Sequence, residues 1–168
     1  MNQDNFQTPI LLIAWRRPGK TIKVIEKIKE IKARKIYVAC DGFISDDKIN
    51  NIKVQETREI IKNSINWECE LKKLFCDSNQ GCKKGVSNAI NWFFKNEKEG
   101  IILEDDCLPH LDFFYFCEEM LRKYRFDDRI WSITGQNIQN NIWRGDSTYY
   151  FSKYSHCWGW ASWRRCWE

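Results

Sequence analysis

The chain has only two histidines, three prolines and two methionines among its 168 residues. Two imidazoles are too few for the common zinc sites, and none of the eight cysteines forms a CxxC pair, so a zinc finger or ribbon is excluded. Cysteines at 40, 69, 76, 82, 107, 117, 157 and 166 then read as reduced, mostly buried thiols. No apolar run approaches the roughly 20 residues of a membrane span, so no transmembrane segment is expected. The opening "MNQDNFQTP" has neither the basic nor the apolar region of a signal peptide. The expected location is cytoplasmic. Charge of one sign is also missing: a net +4 is too small for a nucleic-acid-binding surface and suits an anionic small ligand. No repeat and no low-complexity linker divides the chain. A single domain over 1–168 is expected, long enough for a real core.

What is present is alternation. "PILLIAW" (9–15) reads as a buried strand, and Ile22, Ile25, Ile28 and Ile31 then recur at near-helical spacing over 20–33. "KIYVAC" (35–40) predicts a second strand, and Ile49, Ile52, Ile60 and Ile61 a helix over 48–64. "ELKKLFC" (70–76) is a third strand. Val86, Ala89, Ile90, Phe93 and Phe94 form an amphipathic helical stripe. "GIIL" (100–103) is the fourth strand, followed by a helical stripe of Phe113, Phe116, Cys117, Met120, Leu121 and Tyr124. "RIWSIT" (129–134) predicts a fifth strand. Trp160, Trp163 and Trp167 keep helical spacing, and the chain stops at Glu168 inside this expected helix. That ending suggests a domain truncated at its C-terminus.

Strands alternating with helices predict an α/β layered fold with a mainly parallel sheet. Ligands of such sheets bind beyond the carboxyl ends of the strands. The residues standing there are Arg16 and Arg17, then Asp41 and Gly42, then "DSNQGCKKG" (77–85), then Glu104, Asp105 and Asp106. Three consecutive carboxylates repel one another unless something positive sits among them. One or two of them could cap the helix that follows or lie in solvent. Three after a buried strand suit a divalent cation better, and hard oxygen ligands select Mg²⁺ or Mn²⁺, which in turn hold a diphosphate. "NQGCKKG" could be a solvated turn, or it could bring a helix N-terminus and a lysine to an anion. "AWRRPGKT" (14–21) has the spacing of a relaxed P-loop, with Gly19, Lys20 and Thr21 in register. Against that reading, Trp15, Arg16 and Arg17 crowd the loop and Pro18 has no N–H to offer a phosphate. A helix starting at Pro18 is the plainer alternative.

Together, "PILLIAWRRP", "IYVACDG", "NQGCKKGVSNAINWFF", "GIILEDDCLPHLDFFYF", "ITGQN" and "CWGWASWRRCW" resemble the nucleotide-sugar glycosyltransferases of the GT-A fold. The similarity is greatest to bacterial glycosyltransferase-like proteins related to N-acetylglucosaminyltransferase I. It implies a three-layer, Rossmann-like GT-A domain that takes a nucleoside-diphosphate sugar, a UDP-sugar first, with Mn²⁺ or Mg²⁺ as cofactor. A saccharide or lipid-linked molecule would be the acceptor. The resemblance implies that Asp41, with Gly42, binds the nucleoside and that Arg17 lines the same end. It implies that Gly81 and Lys83 contact the donor. It sets Glu104, Asp105 and Asp106 in the DXD-type position, with Asp106 as the metal ligand. Trp158, Gly159 and Trp160 match the sugar and acceptor side. In inverting relatives the catalytic carboxylate lies downstream of the "GW" segment. Only Glu168 follows here, and it is not read as that base. A P-loop-like NTPase and a non-catalytic nucleotide-sugar-binding module are the alternatives.

Overall fold

A computed structural model describes residues 6–139, 142 and 145–168. The first five residues of the stretch read for a leader lie outside them. Eleven elements follow one another among the described residues: β1 (Ile10–Ala14), α1 (Pro18–Glu30), β2 (Lys35–Cys40), α2 (Lys48–Ser64), β3 (Glu70–Phe75), α3 (Gly81–Asn96), β4 (Glu99–Glu104), α4 (Leu111–Lys123), β5 (Ser132–Thr134), β6 (Trp160–Trp163) and α5 (Arg164–Trp167).

One six-stranded sheet has the order β3-β2-β1-β4-β6-β5. The first four strands are parallel, while β6 runs antiparallel to both β4 and β5. The fold is α/β with a mostly parallel sheet, as the alternation predicts. Chain order reverses around β1, where β2 lies on one side and β4 on the other. Such a reversal is where open α/β sheets leave a crevice at the carboxyl ends of their strands.

Strand pleating sorts the core into two faces. Ile10, Leu12, Ala14, Ile36, Val38, Ile101 and Leu103 pack with α1, α2 and α4. Leu11, Tyr37, Ala39 and Ile102 pack with Ala89, Ile90, Phe93 and Phe94 of α3. Two helical layers therefore sandwich the sheet. Gly100 is required by this packing, because a methyl group there would overlap the Phe93 ring and press on the Pro9 carbonyl.

Three sequence expectations need correction. The tryptophans at 160 and 163 are not one helical stripe: Trp160–Trp163 is strand β6, and only Arg164–Trp167 is helical. Residues three apart in a strand face opposite ways. Accordingly Trp163 enters the core beneath α4, and Trp160 packs on the α3 side. The second correction is in α2, whose buried face is Val54, Thr57, Arg58 and Ile61. Ile52 stands nine residues before Ile61, about half a turn out of phase, and both it and Ile49 are exposed. The expected fifth strand also contracts to Ser132–Thr134.

Candidate functional site at the carboxyl ends of β1, β2 and β4

The "RRPGKT" stretch opens α1 with Pro18 in its first turn. The N–H groups of Lys20 and Thr21 both donate to the Arg17 carbonyl, at 3.0 and 2.9 Å, and the Thr21 hydroxyl donates to it at 2.9 Å. The amides a phosphate cradle would need are thus committed to the helix start, and Lys20 is exposed.

The positive charge that the three acids call for is Arg17. Its Nη1 donates to Asp105 Oδ1 at 2.9 Å and to Asp106 Oδ2 at 2.8 Å. The other Asp105 oxygen accepts the Trp15 backbone N–H at 3.1 Å. Asp105 is 5% exposed. Burial pushes its carboxyl above the usual range, and the Trp15 amide and Arg17 pull it back only in part. Asp105 in turn raises the Arg17 guanidinium. Neither aspartate caps α4, because His110 Nδ1 accepts from the Asp112 N–H instead, at 3.4 Å. Glu104 ends β4 opposite Ile13, and pleating turns it to the α3 face, away from Asp105. It is half-buried. Burial raises its carboxyl first, and then the charges of Asp106 and Asp105.

Asp41 organises the second half of this edge. Its Oδ1 accepts from the N–H groups of Gly42 and Gln80, both at 2.8 Å. Its Oδ2 accepts from Asn79 Nδ2 at 2.9 Å and the Gly81 N–H at 3.2 Å. A carboxylate has about four acceptor positions, and here all four are filled. Asp41 therefore serves as a cap from outside for α3, whose own Gln80 makes no side-chain cap, and places negative charge where the helix dipole favours it. The expectation of a base-binding Asp41 meets a carboxylate already committed to this loop. Gly42 is needed beside it, since a methyl group would overlap the Ser78 backbone where Phe43 bridges to Ser78. Gly81 takes φ +76°, and Lys83 is exposed on the first turn of α3.

Two residues that sequence reasoning passed over join these parts. Trp15 donates its amide to Asp105 and its indole N–H to the Gly42 carbonyl at 3.0 Å. It thereby links the ends of β4, β1 and β2, while Arg16 stacks its guanidinium 4.1 Å from the Trp15 ring centre. An indole directly after a buried strand was the available signal. Arg58, 8% exposed, donates to the carbonyls of Asp41 and Cys76 and lies over the rings of Phe43 and Phe75. Its Nε has no partner among the described residues. Nothing in the helical pattern of α2 separates this arginine from the solvated charges around it.

Beside this edge opens a cleft of about 1430 Å³, lined by Asp106, α4, β5 and the 147–160 segment, including Trp158, Gly159 and Trp160. The structure thus brings Asp106 and the "WGW" segment to one cavity. Trp158 is 59% exposed. Gly159 is buried at φ +75°, with Leu103 Cδ2 3.4 Å from where a Cβ would stand. Trp160 is fixed in β6 opposite Ile102 and Thr134. Arg17, Asp41, Gly42, Gly81 and Lys83 do not line this cleft.

Among the described residues, no group of three or more His, Cys, Asp or Glu side chains converges as a metal cage. Asp106 nevertheless fits a hard divalent cation. Its side chain is 28% exposed, and Mg²⁺ is commonly held by one or two carboxylates while substrate phosphates and water complete the shell. No helix among the described residues is long and apolar enough to cross a membrane.

No protein-family model and no curated protein matches the chain. Among solved structures, a cytidylyltransferase from Leptospira borgpetersenii serovar Hardjo-bovis is 16% identical, with a TM-score of 0.48 over 76% of this chain and 52% of its own. HddC from Yersinia pseudotuberculosis is 14% identical, with a TM-score of 0.43 over 68% of this chain and 54% of its own. The 4-diphosphocytidyl-2C-methyl-D-erythritolsynthase from Anaerococcus prevotii is 11% identical, with a TM-score of 0.47 over 94% of this chain and 72% of its own. The chain spans about half the length of the first two. At these identities and TM-scores the likeness bears on neither activity nor substrate.

Proposed function

We propose that the chain is the donor-binding domain of a metal-dependent glycosyltransferase that takes a nucleoside-diphosphate sugar, UDP-sugars first, and passes the sugar to a saccharide or lipid-linked acceptor. The observation that carries this reading is the meeting of Asp106, already paired with Arg17, and the Trp158–Trp160 segment at one cleft beside the point of strand reversal. Carboxylates and a guanidinium suit a cation and a diphosphate, and the adjoining aromatic wall suits sugar rings.

In this reading Asp106 holds Mn²⁺ or Mg²⁺, which would supply Lewis-acid stabilisation of the diphosphate leaving group. Arg17 adds a second positive charge at the same end, and Lys83, exposed on the first turn of α3, adds a third positive charge on the nucleoside side. Asp105 positions Arg17 and the Trp15 loop. Asp41 shapes the nucleoside end by ordering residues 79–81 rather than by spending a free oxygen on the base. Trp158 and Trp160 offer faces to the sugar and acceptor. The work is cytoplasmic, where nucleotide sugars are available.

A thermal-shift screen of UDP-sugars, other nucleotide sugars, CTP and ATP, each with and without Mn²⁺, tests the reading. A Tm rise that requires Mn²⁺ and grows with the logarithm of UDP-sugar concentration supports it. Stabilisation by CTP or ATP alone would move the assignment to nucleotidyl or phosphoryl transfer. Tight metal-dependent binding without any sugar transfer would leave a binding module.

A further inference from the structure

Resting on the proposed donor site, we propose that Arg17 is a resident counter-cation, which must leave Asp106 before a metal-bound diphosphate can enter. Metal affinity is thereby held low until nucleotide arrives. A single nitrogen, Arg17 Nη1, serves both aspartates, at 2.9 and 2.8 Å. The two contacts are unequal in their surroundings. Asp105 is buried and fixed from its other side by the Trp15 amide. Asp106 is more exposed, and among the described residues its remaining oxygen meets the Cys107 thiol, at 4.0 Å. The pair with Asp106 is the one that can open.

Arg17 is built to move at its tip and not at its base. Its carbonyl accepts three hydrogen bonds, from the Lys20 and Thr21 amides and the Thr21 hydroxyl, which anchor the backbone. Its side chain is 50% exposed and caps no helix amide, so it can swing without opening the core. A free divalent cation approaching Asp106 must displace a like charge at contact distance, and that repulsion opposes binding. A cation arriving with a diphosphate gives the released guanidinium new oxygen acceptors, in the bidentate geometry that arginine and phosphate share. Displacement is then favourable only for the nucleotide-bound metal.

The two halves of this argument give effects of opposite sign. Arg17→Gln should raise affinity for Mn²⁺ alone by about tenfold, measured from the free Mn²⁺ resonance signal. The same variant should weaken UDP binding in saturating Mn²⁺ by about tenfold or more, measured by calorimetry. Arg17→Lys, which keeps the charge, should stay near the parent in Mn²⁺ affinity. Arg16→Gln removes an equal charge one residue away and should change neither quantity more than about twofold. A merely structural role for Arg17 would lower both affinities together. Unchanged or weaker Mn²⁺ binding by Arg17→Gln overturns the inference, as does an equal gain from Arg16→Gln. Mn²⁺-dependent UDP binding by the parent would still leave the donor site standing in that case. A parent that binds UDP without regard to Mn²⁺ overturns both.

Discussion

The two sides of the strand reversal are built on different terms. On the β1–β2–β4 edge the organising carboxylates have their donors: Asp41 accepts four hydrogen bonds, and Asp105 accepts two, from the Trp15 amide and Arg17 Nη1. On the cleft side, Trp131, Phe151, Tyr154 and Trp158 are left largely in solvent, a concentration of exposed aromatic surface that marks a binding surface in soluble proteins. The difference teaches that the first side is a finished electrostatic frame, costly to alter, and that the second is apolar area still to be covered. Stability should therefore reside in the frame and ligand contact in the cleft.

Asp41→Ala should break this comparison open most. Four hydrogen bonds to one charged group and the cap of α3 disappear together. The expected loss is about 3 kcal/mol, or roughly 6–12 °C in Tm for a chain of this size, read by thermal circular dichroism. A variant that keeps its Tm and loses only nucleotide affinity would instead make Asp41 a ligand-binding group and not a frame residue. Asp105→Ala comes next. It leaves the Trp15 amide without its acceptor and should cost about 1–3 kcal/mol, measured by urea denaturation.

Thiol reactivity sharpens the contrast without any substitution. Burial pushes the Cys40 and Cys107 thiols up to about 11. Their thiolates are scarce at pH 8, whereas Cys82 and Cys157 are exposed. An aromatic disulfide reagent at pH 8 should label Cys82 and Cys157 first, with Cys40 and Cys107 reacting much more slowly while the protein is folded. Because the folded pKa is raised, reactivity of Cys40 and Cys107 should climb as pH rises toward 11. Peptide mapping of the labelled protein checks the order. Smallest of all, Trp158→Ala should change stability by no more than about 0.5 kcal/mol, while weakening whatever saccharide the cleft accepts.

Much of the frame was legible because its signals are local. The bounds Lys35–Cys40 follow directly from an apolar run, and the span Lys48–Ser64 was also legible, although two of the four isoleucines taken as its stripe lie in solvent. The chemistry of "LEDD" also raised the right question, since three acids require a counter-charge. Its answer lay 88 residues away in sequence, in the Arg17–Asp105 pair, which no periodicity reveals. Asp41 reads as a free carboxylate after a strand because its donors come from residues 79–81, brought near only by the sheet. Trp160–Trp163 was misread for a related reason. A four-residue strand defined by its partners in β4 and β5 carries tryptophans at a spacing that also fits a helix.

The central claim is that Asp106, between Arg17 and the aromatic cleft, receives the metal-bound diphosphate of a nucleotide sugar. Calorimetry of UDP binding to the parent and to Asp106→Ala, each with Mn²⁺ and with chelator, tests it most directly. The account predicts Mn²⁺-dependent binding by the parent and its loss in the variant, with the Tm of the metal-free variant close to that of the parent, because the lost, half-exposed pair with Arg17 is offset by relief of repulsion from Glu104 and Asp105. Equal Mn²⁺-dependent binding by both proteins would contradict it.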